Sequence, residues 1–283
     1  MKALIIGFGW LGLPLADHLI AKGYQVSGTT RSVIKQNKLL AKGYDTHLFD
    51  LFAYPFASDL VRHSIEQSSV VINIAPGRRD IDADTYQRAL KALIDHLVAC
   101  HAKHITFVST TSVFGGQSGL LSEQSKPMPS TNSGIAHAHI EEYLLKALNV
   151  DASVIRLAGL IGANQDGSIR HPATSLIKRS NIEKGYQPVN LLHQEDAIAL
   201  IAAIVEQQKT HCIYHGCSTE HPSRAIYYTW AAKKLGLGSL DFISNKRVEE
   251  EDAGKIIDAK HSIKELNIRL KYPSPFDMLN NIE

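Results

Sequence analysis

The stretch Met1-Lys-Ala-Leu-Ile-Ile-Gly-Phe-Gly-Trp-Leu-Gly12 decides the fold of this chain. A short apolar run of strand formers from Ala3 leads into Gly7, Gly9 and Gly12 at G-x-G-x-x-G spacing, and a helical apolar pattern follows. This order is typical of the unit that holds a dinucleotide pyrophosphate. Gly7 permits the tight turn, Gly9 lets the backbone approach the phosphates, and Gly12 lets helix and strand pack closely. A plain glycine turn would show the same spacing, but the strand and helix around it favour nucleotide binding.

The helix that begins after the turn adds to this prediction. Its first backbone N–H groups are free, and its positive dipole end attracts an anion. We therefore assign Trp10 and Leu11, which lie inside the turn, to the cofactor site together with the three glycines.

Composition excludes several classes of protein. The 283 residues are 44% hydrophobic and 20% charged, with a formal net charge of +2, which does not favour nucleic acid or a membrane surface as partner. Three cysteines suit a reducing cytoplasm better than a disulfide scaffold, and Asp17 interrupts the only run that resembles a signal peptide. We expect a cytoplasmic protein.

The cluster Cys212-x-x-His215-x-Cys217 lacks four ligands at zinc spacing, so we expect no metal.

Strand and helix patterns alternate through the first half of the chain. This alternation predicts an α/β fold, a Rossmann-like doubly wound parallel sheet with a smaller C-terminal substrate-covering region. The expected domains are 1–158 and 159–283, with elements of 189–215 returning to the sheet. The predicted strands are Ala3–Ile6, Gln25–Thr29, Thr46–Phe49, Val70–Ile74, Ile105–Ser109 and Ser153–Leu157, and the predicted helices are Leu11–Lys22, Ser32–Ala41, Ser58–Glu66, Ala83–Cys100 and Ala136–Leu148.

The end of the second strand favours NADP over NAD. An NAD site usually places a carboxylate about 20 residues beyond the glycines, to bind the ribose 2′-hydroxyl. Here the chain instead carries Thr30, Arg31 and Ser32, the groups that a 2′-phosphate prefers. The alternative is a solvated arginine at a helix start.

The ends of the next two strands carry further cofactor candidates. Asp50 follows the third strand and either binds the adenine amino group or caps a turn. Ala75 and Pro76 follow the fourth strand, where they would pass the pyrophosphate and ribose.

Several motifs in fixed order resemble the extended and atypical short-chain dehydrogenase/reductases, the group of sugar-nucleotide epimerases and dehydratases. The resemblance covers nearly the whole chain, although this family more often spaces its glycines G-x-x-G-x-x-G. The landmarks are the glycine turn, Ser109-Thr-Thr-Ser-Val-Phe-Gly115, Ser133-Gly-Ile-Ala-His-Ala-His-Ile-Glu141, Arg156-Leu-Ala-Gly-Leu-Ile-Gly162 and His193-Gln-Glu-Asp-Ala197.

The resemblance assigns Thr110 to the hydroxyl that bonds the reacting oxygen of the substrate, and a strand-end hydroxyl that bonds its own backbone is the alternative. The family's acid/base pair is a Tyr and a Lys four residues later, and these positions hold Ser133 and His137 here. Tyr-x-x-x-Lys is absent from this segment. An alkyl hydroxyl titrates far above a phenol and needs a base, which His137 could provide since imidazole titrates near ~6.5. A His137 that binds the cofactor ribose or packs is the alternative.

Two functions remain open at this point. The first is an NADP-dependent epimerase, dehydratase or reductase that acts on a sugar nucleotide or another small carbonyl or alcohol. The second is a non-catalytic NADP-binding redox sensor or interaction protein. The resemblance also leaves room for a homodimer formed through paired helices.

Overall fold

The computed structural model describes residues 1–53, 62–74, 82–146, 150–164, 166–243 and 253–280. Its strands are β1 (Lys2–Ile6), β2 (Gln25–Thr30), β3 (Asp45–Leu48), β4 (Ser69–Ile72), β5 (His104–Thr110), β6 (Gly119–Leu121), β7 (Asp151–Leu157), β8 (Gly159–Ala163), β9 (Ile169–Arg170), β10 (Leu191–His193), β11 (Cys212–Gly216) and β12 (Lys255–Ile257). Its helices are α1 (Gly12–Ala21), α2 (Val33–Ala41), α3 (Arg62–Ile65), α4 (Ala83–Ala99), α5 (Asn132–Lys146), α6 (Ala173–Leu176), α7 (Gln194–Gln207), α8 (Arg224–Lys234) and α9 (Lys260–Glu265).

A seven-stranded sheet confirms the predicted fold class. Its strand order is β11-β7-β5-β4-β1-β2-β3, and β1 pairs in parallel with both β2 and β4. The strand order therefore reverses beside β1, and in doubly wound sheets the ligand binds at this reversal, outside the carboxyl ends of the strands. The glycine turn leaves β1 at that end.

Helix and strand boundaries differ from the predictions by a few residues. The helix expected at Ala136 begins at Asn132, so its first turn includes Ser133. Of the helix predicted over Ser58–Glu66, the structure describes Arg62–Ile65 as helical, and residues 54–61 lie outside the described part.

The helical periodicity of apolar residues in α4 explains the core beside the sheet. In α4, Leu90, Leu93, Ile94 and Leu97 recur at i, i+3, i+4 and i+7 and are all buried. They belong to one apolar cluster with residues of β1, β4, β5 and α5. This packing holds α5, which carries two candidate site residues, in place.

The chain divides into two compact units. The first comprises Met1–Val113, Pro129–Arg156 and Ile198–Tyr214, and contains the glycine turn. The second comprises Phe114–Met128, Leu157–Ala197 and His215–Glu283. The second unit has its own three-stranded sheet, in the order β10-β8-β9, and a separate pair of strands, β12 and β6.

His171 is a buried histidine in the second unit. Its Nδ1 accepts the Ala173 N–H at 3.0 Å, so Nε2 carries the proton and lies 2.9 Å from the Tyr227 hydroxyl. Burial lowers the pKa of His171 from 6.5 to about 4. The folded protein therefore keeps this ring neutral at pH values where the unfolded chain binds a proton.

We expect the protein to lose stability as the pH falls through this window. The contribution of a neutral His171 to the free energy of unfolding is fully present above about pH 6.5. Up to about 3 kcal/mol of this stability is lost as the pH falls toward about 4. Urea unfolding at pH 7.5 and pH 5 measures the change in the free energy of unfolding. His171→Gln should flatten the pH dependence, whereas His261→Gln, at an exposed position, should not. An unchanged slope in the His171 variant contradicts the prediction.

Candidate functional site

Two of the three glycines in the turn are required by the protein itself. Gly7 has φ +112°, and a Cβ there would lie 2.5 Å from the Asn73 carbonyl oxygen. A Cβ on Gly12 would lie 2.1 Å from the Gly7 carbonyl oxygen. Neither position accepts a side chain without moving backbone.

Gly9 is different because the described residues around it do not demand a glycine there. Among those residues, a Cβ on Gly9 would find only the Gly7 carbonyl oxygen, at 4.0 Å. The first turn of α1 carries no acidic residue and Leu11 makes no side-chain cap, so no carboxylate of that turn competes for the helix start. An open glycine backbone beside such a helix start fits a dinucleotide pyrophosphate.

The other two residues of the turn differ in exposure. Leu11 is buried, and its carbonyl accepts the Leu15 N–H at 3.2 Å as α1 begins. Trp10 is half-buried. Their cofactor contacts stay predictions.

The hydroxyls at the end of β2 have local partners, whereas Arg31 is exposed. Thr30 Oγ1 accepts the Ser32 N–H at 3.4 Å, and Ser32 Oγ caps α2 by accepting the Lys35 N–H at 3.2 Å. The turn therefore presents the guanidinium outward and uses two of its hydroxyls to start the helix.

Asp50 makes the capping contact that the sequence left open as an alternative. Its Oδ1 accepts the Phe52 N–H at 3.1 Å in the turn after β3. Ala75 and Pro76 lie outside the described residues.

Thr110 is the last residue of β5 and is half-buried. Its Oγ1 accepts the Ser112 N–H at 3.2 Å, as hydroxyls at strand ends often do. An oxygen that accepts this bond keeps its own hydrogen available to donate. The geometry is therefore compatible with a hydroxyl that donates to a substrate oxygen.

The His137 side chain forms a hydrogen bond with the backbone carbonyl of Ser133. His137 Nδ1 lies 2.7 Å from the Ser133 carbonyl oxygen, which can only accept, so Nδ1 carries the proton and Nε2 is the basic nitrogen. The ring is buried against Phe107, with centroids 5.6 Å apart, and Tyr86, at 5.9 Å. Burial lowers the pKa of His137, and the Ser133 carbonyl and the Glu141 carboxylate oppose the shift.

A buried ion pair that the sequence analysis missed lies beside these residues. Arg156 donates to Glu141 through Nη2 at 2.7 Å and Nε at 3.1 Å, and Ser109 Oγ donates to the same carboxylate at 2.5 Å. The Arg156 and Glu141 side chains are 2% and 3% exposed. Glu141 follows His137 by one helical turn, and Ser109 precedes Thr110, so the pair joins α5, β5 and β7 behind the candidate site. The signal in the sequence was that Glu141 and Arg156 are charged residues inside the apolar patterns of α5 and β7.

The nearest tyrosine and lysine on α5 have other roles. The Tyr143 hydroxyl donates to Asp95, which raises the pKa of Tyr143 to about 12. Lys146 pairs with Glu142 at 2.5 Å on the exposed face of the helix. Neither takes the place of the family's catalytic pair.

In the second unit, His193 and Asp196 hold the C-terminal segment of the chain. Asp196 accepts the backbone N–H groups of Lys271 at 2.7 Å and Tyr272 at 3.0 Å. The His193 and Tyr272 rings have centroids 3.9 Å apart. Both residues are therefore structural within this unit.

Neither a cluster of metal ligands nor a membrane-spanning helix occurs among the described residues. In that part of the chain, no three His, Cys, Asp or Glu side chains come together as metal ligands would. None of the helices described there has the length and apolar character needed to span a bilayer.

The chain is similar in sequence to a known family and to a bacterial protein. A model of the NAD dependent epimerase/dehydratase family matches residues 3–214. The chain is 33% identical over 281 residues to Protein YeeZ of Escherichia coli (strain K12), which covers 98% of both proteins.

Solved structures share the fold. A functionally unknown conserved protein from Silicibacter pomeroyi superposes with a TM-score of 0.75 at 22% identity, covering 99% of this chain and 97% of that one. UDP-glucuronic acid 4-epimerase from Bacillus cereus, solved with NAD, gives a TM-score of 0.77 at 18% identity, covering 99% and 96%. At such identities the likeness shows the fold alone.

Proposed function

Because the chain belongs to the NAD dependent epimerase/dehydratase family, we propose that it is an enzyme that binds NADP in preference to NAD. Its substrate is a sugar nucleotide or another small carbonyl or alcohol. The fold shared with a UDP-glucuronic acid 4-epimerase supports sugar nucleotides as the first class to test.

The observation that carries the proposal is the open backbone at Gly9. The described residues impose no steric need for a glycine at this position, so a ligand that approaches the backbone would explain it. The end of β2 supports NADP, because exposed Arg31 stands where an NAD site usually has a carboxylate. Asp50 would bind the adenine amino group, with Ala75 and Pro76 beside the pyrophosphate.

The candidate catalytic residues divide the work of a hydride transfer. When bound, the nicotinamide supplies the hydride donor or acceptor. Thr110 would donate a hydrogen bond to the reacting oxygen. When that oxygen belongs to an alcohol that loses hydride to the nicotinamide, His137 would accept its hydroxyl proton at Nε2, since Nδ1–H is held by the Ser133 carbonyl. Ser133, half-buried at the start of α5, would relay this proton through its hydroxyl or an ordered water.

A second candidate function is a non-catalytic NADP-binding protein. The packing of the His137 ring between Phe107 and Tyr86 favours it, because a histidine held in this way has a structural reason to be present. Such a protein would keep the cofactor site and show no turnover.

His137→Ala separates the two functions. We expect the variant to lose about 100-fold or more in turnover of a sugar-nucleotide panel while its affinity for NADPH stays within about twofold of wild type. His139→Ala, two residues along α5 and exposed, is the control, and fluorescence titration with NADPH measures binding.

Each other result has a definite meaning. Weaker NADPH binding in the His137 variant would make His137 a cofactor ligand. A wild-type protein that binds NADPH but turns over nothing supports the binding protein. A wild-type protein that binds neither NADPH nor NADH contradicts both candidates.

A further inference from the structure

The side chain of Lys35, on α2, reaches back to the glycine turn. Its ammonium donates a hydrogen bond to the Phe8 carbonyl oxygen, in the middle of the turn. The side chain is half-buried, and burial lowers the pKa of Lys35. A cation therefore spans the distance between the start of α2 and the turn that would hold the pyrophosphate.

This position is fixed by the backbone on both sides. The Phe8 N–H donates to the Thr29 carbonyl at 2.7 Å, and the Gly7 N–H donates to Thr29 Oγ1 at 2.9 Å. The Phe8 ring covers Gly28 so closely that a Cβ there would lie 2.0 Å from it. The turn and the end of β2 thus form one rigid unit, over which Lys35 lies.

The adenosine ribose of a bound dinucleotide would lie near this ammonium. In a Rossmann unit the pyrophosphate lies on the glycine turn, and the ribose 2′-position faces the end of β2. A side chain that reaches from the start of α2 to the glycine turn would therefore lie near the 2′-substituent of the ribose. A neutral carbonyl uses one of the three N–H donors of an ammonium, and a phosphate is a stronger, charge-assisted acceptor.

We propose that Lys35 is a specificity-determining residue that pairs with the 2′-phosphate of NADP, with Arg31 as the second cation. The inference rests on the proposed function, since it refines how the same site chooses its dinucleotide. Lys35 would approach the 2′-phosphate from the side of the turn, and exposed Arg31 would approach it from the end of β2. NAD and NADP carry the same pyrophosphate, so any attraction of the ammonium to that group is common to both, and only NADP offers the 2′-phosphate as a further acceptor.

Lys35→Gln tests the assignment. We expect NADPH binding to weaken about 10-fold or more, because a hydrogen bond to a charged group is involved, while NADH binding stays within about twofold. Lys38→Gln makes the same charge change at an exposed position one turn along α2 and should alter neither affinity. Lys35→Arg should recover most of the NADPH affinity.

Fragments of the cofactor isolate the phosphate contact. Calorimetric titration with adenosine 2′,5′-bisphosphate and with AMP compares ligands that differ in the 2′-phosphate, and only the first should weaken in Lys35→Gln. Equal losses for NADPH and NADH would overturn the inference, because Lys35 would then only support the turn. Unchanged NADPH affinity would overturn it as well. Wild type without a preference for NADPH contradicts the proposed NADP specificity, a failure visible before any variant is made.

Discussion

Replacing Gly9 with valine is expected to weaken NADPH binding by at least about 100-fold while the melting temperature stays within about 2 °C of wild type. The side chain would project from an open backbone, where the nearest atom of the described residues to a Cβ is 4.0 Å away, so the fold should tolerate it. The same side chain would occupy the space that the pyrophosphate needs. Fluorescence titration and thermal melting measure the two effects.

Two further glycine variants bracket this prediction. Gly116→Val makes the same change where no atom of the described part of the chain lies within 4 Å of the added Cβ, and should leave both quantities unchanged. Gly12→Ala should lower the melting temperature, because its Cβ would lie 2.1 Å from the Gly7 carbonyl oxygen. Wild-type affinity in Gly9→Val would show that the pyrophosphate does not approach this turn.

Glu141→Gln is expected to destabilise the protein by about 3–5 kcal/mol, which lowers the melting temperature by roughly 10 °C. The variant leaves Arg156, 2% exposed, without the carboxylate that it binds through Nη2 and Nε. A buried charge that loses its partner keeps the full cost of desolvation. Thermal melting or urea unfolding at pH 7.5 measures the loss.

The neighbouring residue provides the control. Glu142→Gln changes the same functional group at an exposed position, where the pair with Lys146 is screened by solvent, and should scarcely move the melting temperature. The double variant Glu141→Leu with Arg156→Met should recover much of the loss, because apolar residues often replace a buried pair without cost. If Glu141→Gln melts like wild type, the pair is not buried in solution.

Local patterns predicted the elements well for a physical reason. The apolar run of β1, the glycine spacing and the period of α4 each arise from neighbours in sequence, so a short window contains the information. The order of these elements then restricted the sheet to a doubly wound one, because parallel strands need crossover helices.

Side-chain partners were less accessible to sequence reasoning. Spacing placed Ser133 and His137 on one helix face, but the ring turns to the Ser133 carbonyl oxygen because burial leaves Nδ1–H in need of an acceptor. Asp50 was left between ligand and cap, and the structure shows the capping contact. Both outcomes depend on what packs around the side chain.

The sequence by itself determined the Rossmann-like sheet, the glycine turn at Gly7, Gly9 and Gly12 that follows its first strand, and the absence of a carboxylate at the end of β2. Only the tertiary structure decided which polar groups meet across elements. It joined Glu141 to Arg156 and Ser109, and it laid Lys35 over the Phe8 carbonyl, 27 residues away in sequence. Such contacts form between segments that come together only when the sheet assembles, and buried charges and donors must then find partners among whatever lies nearby.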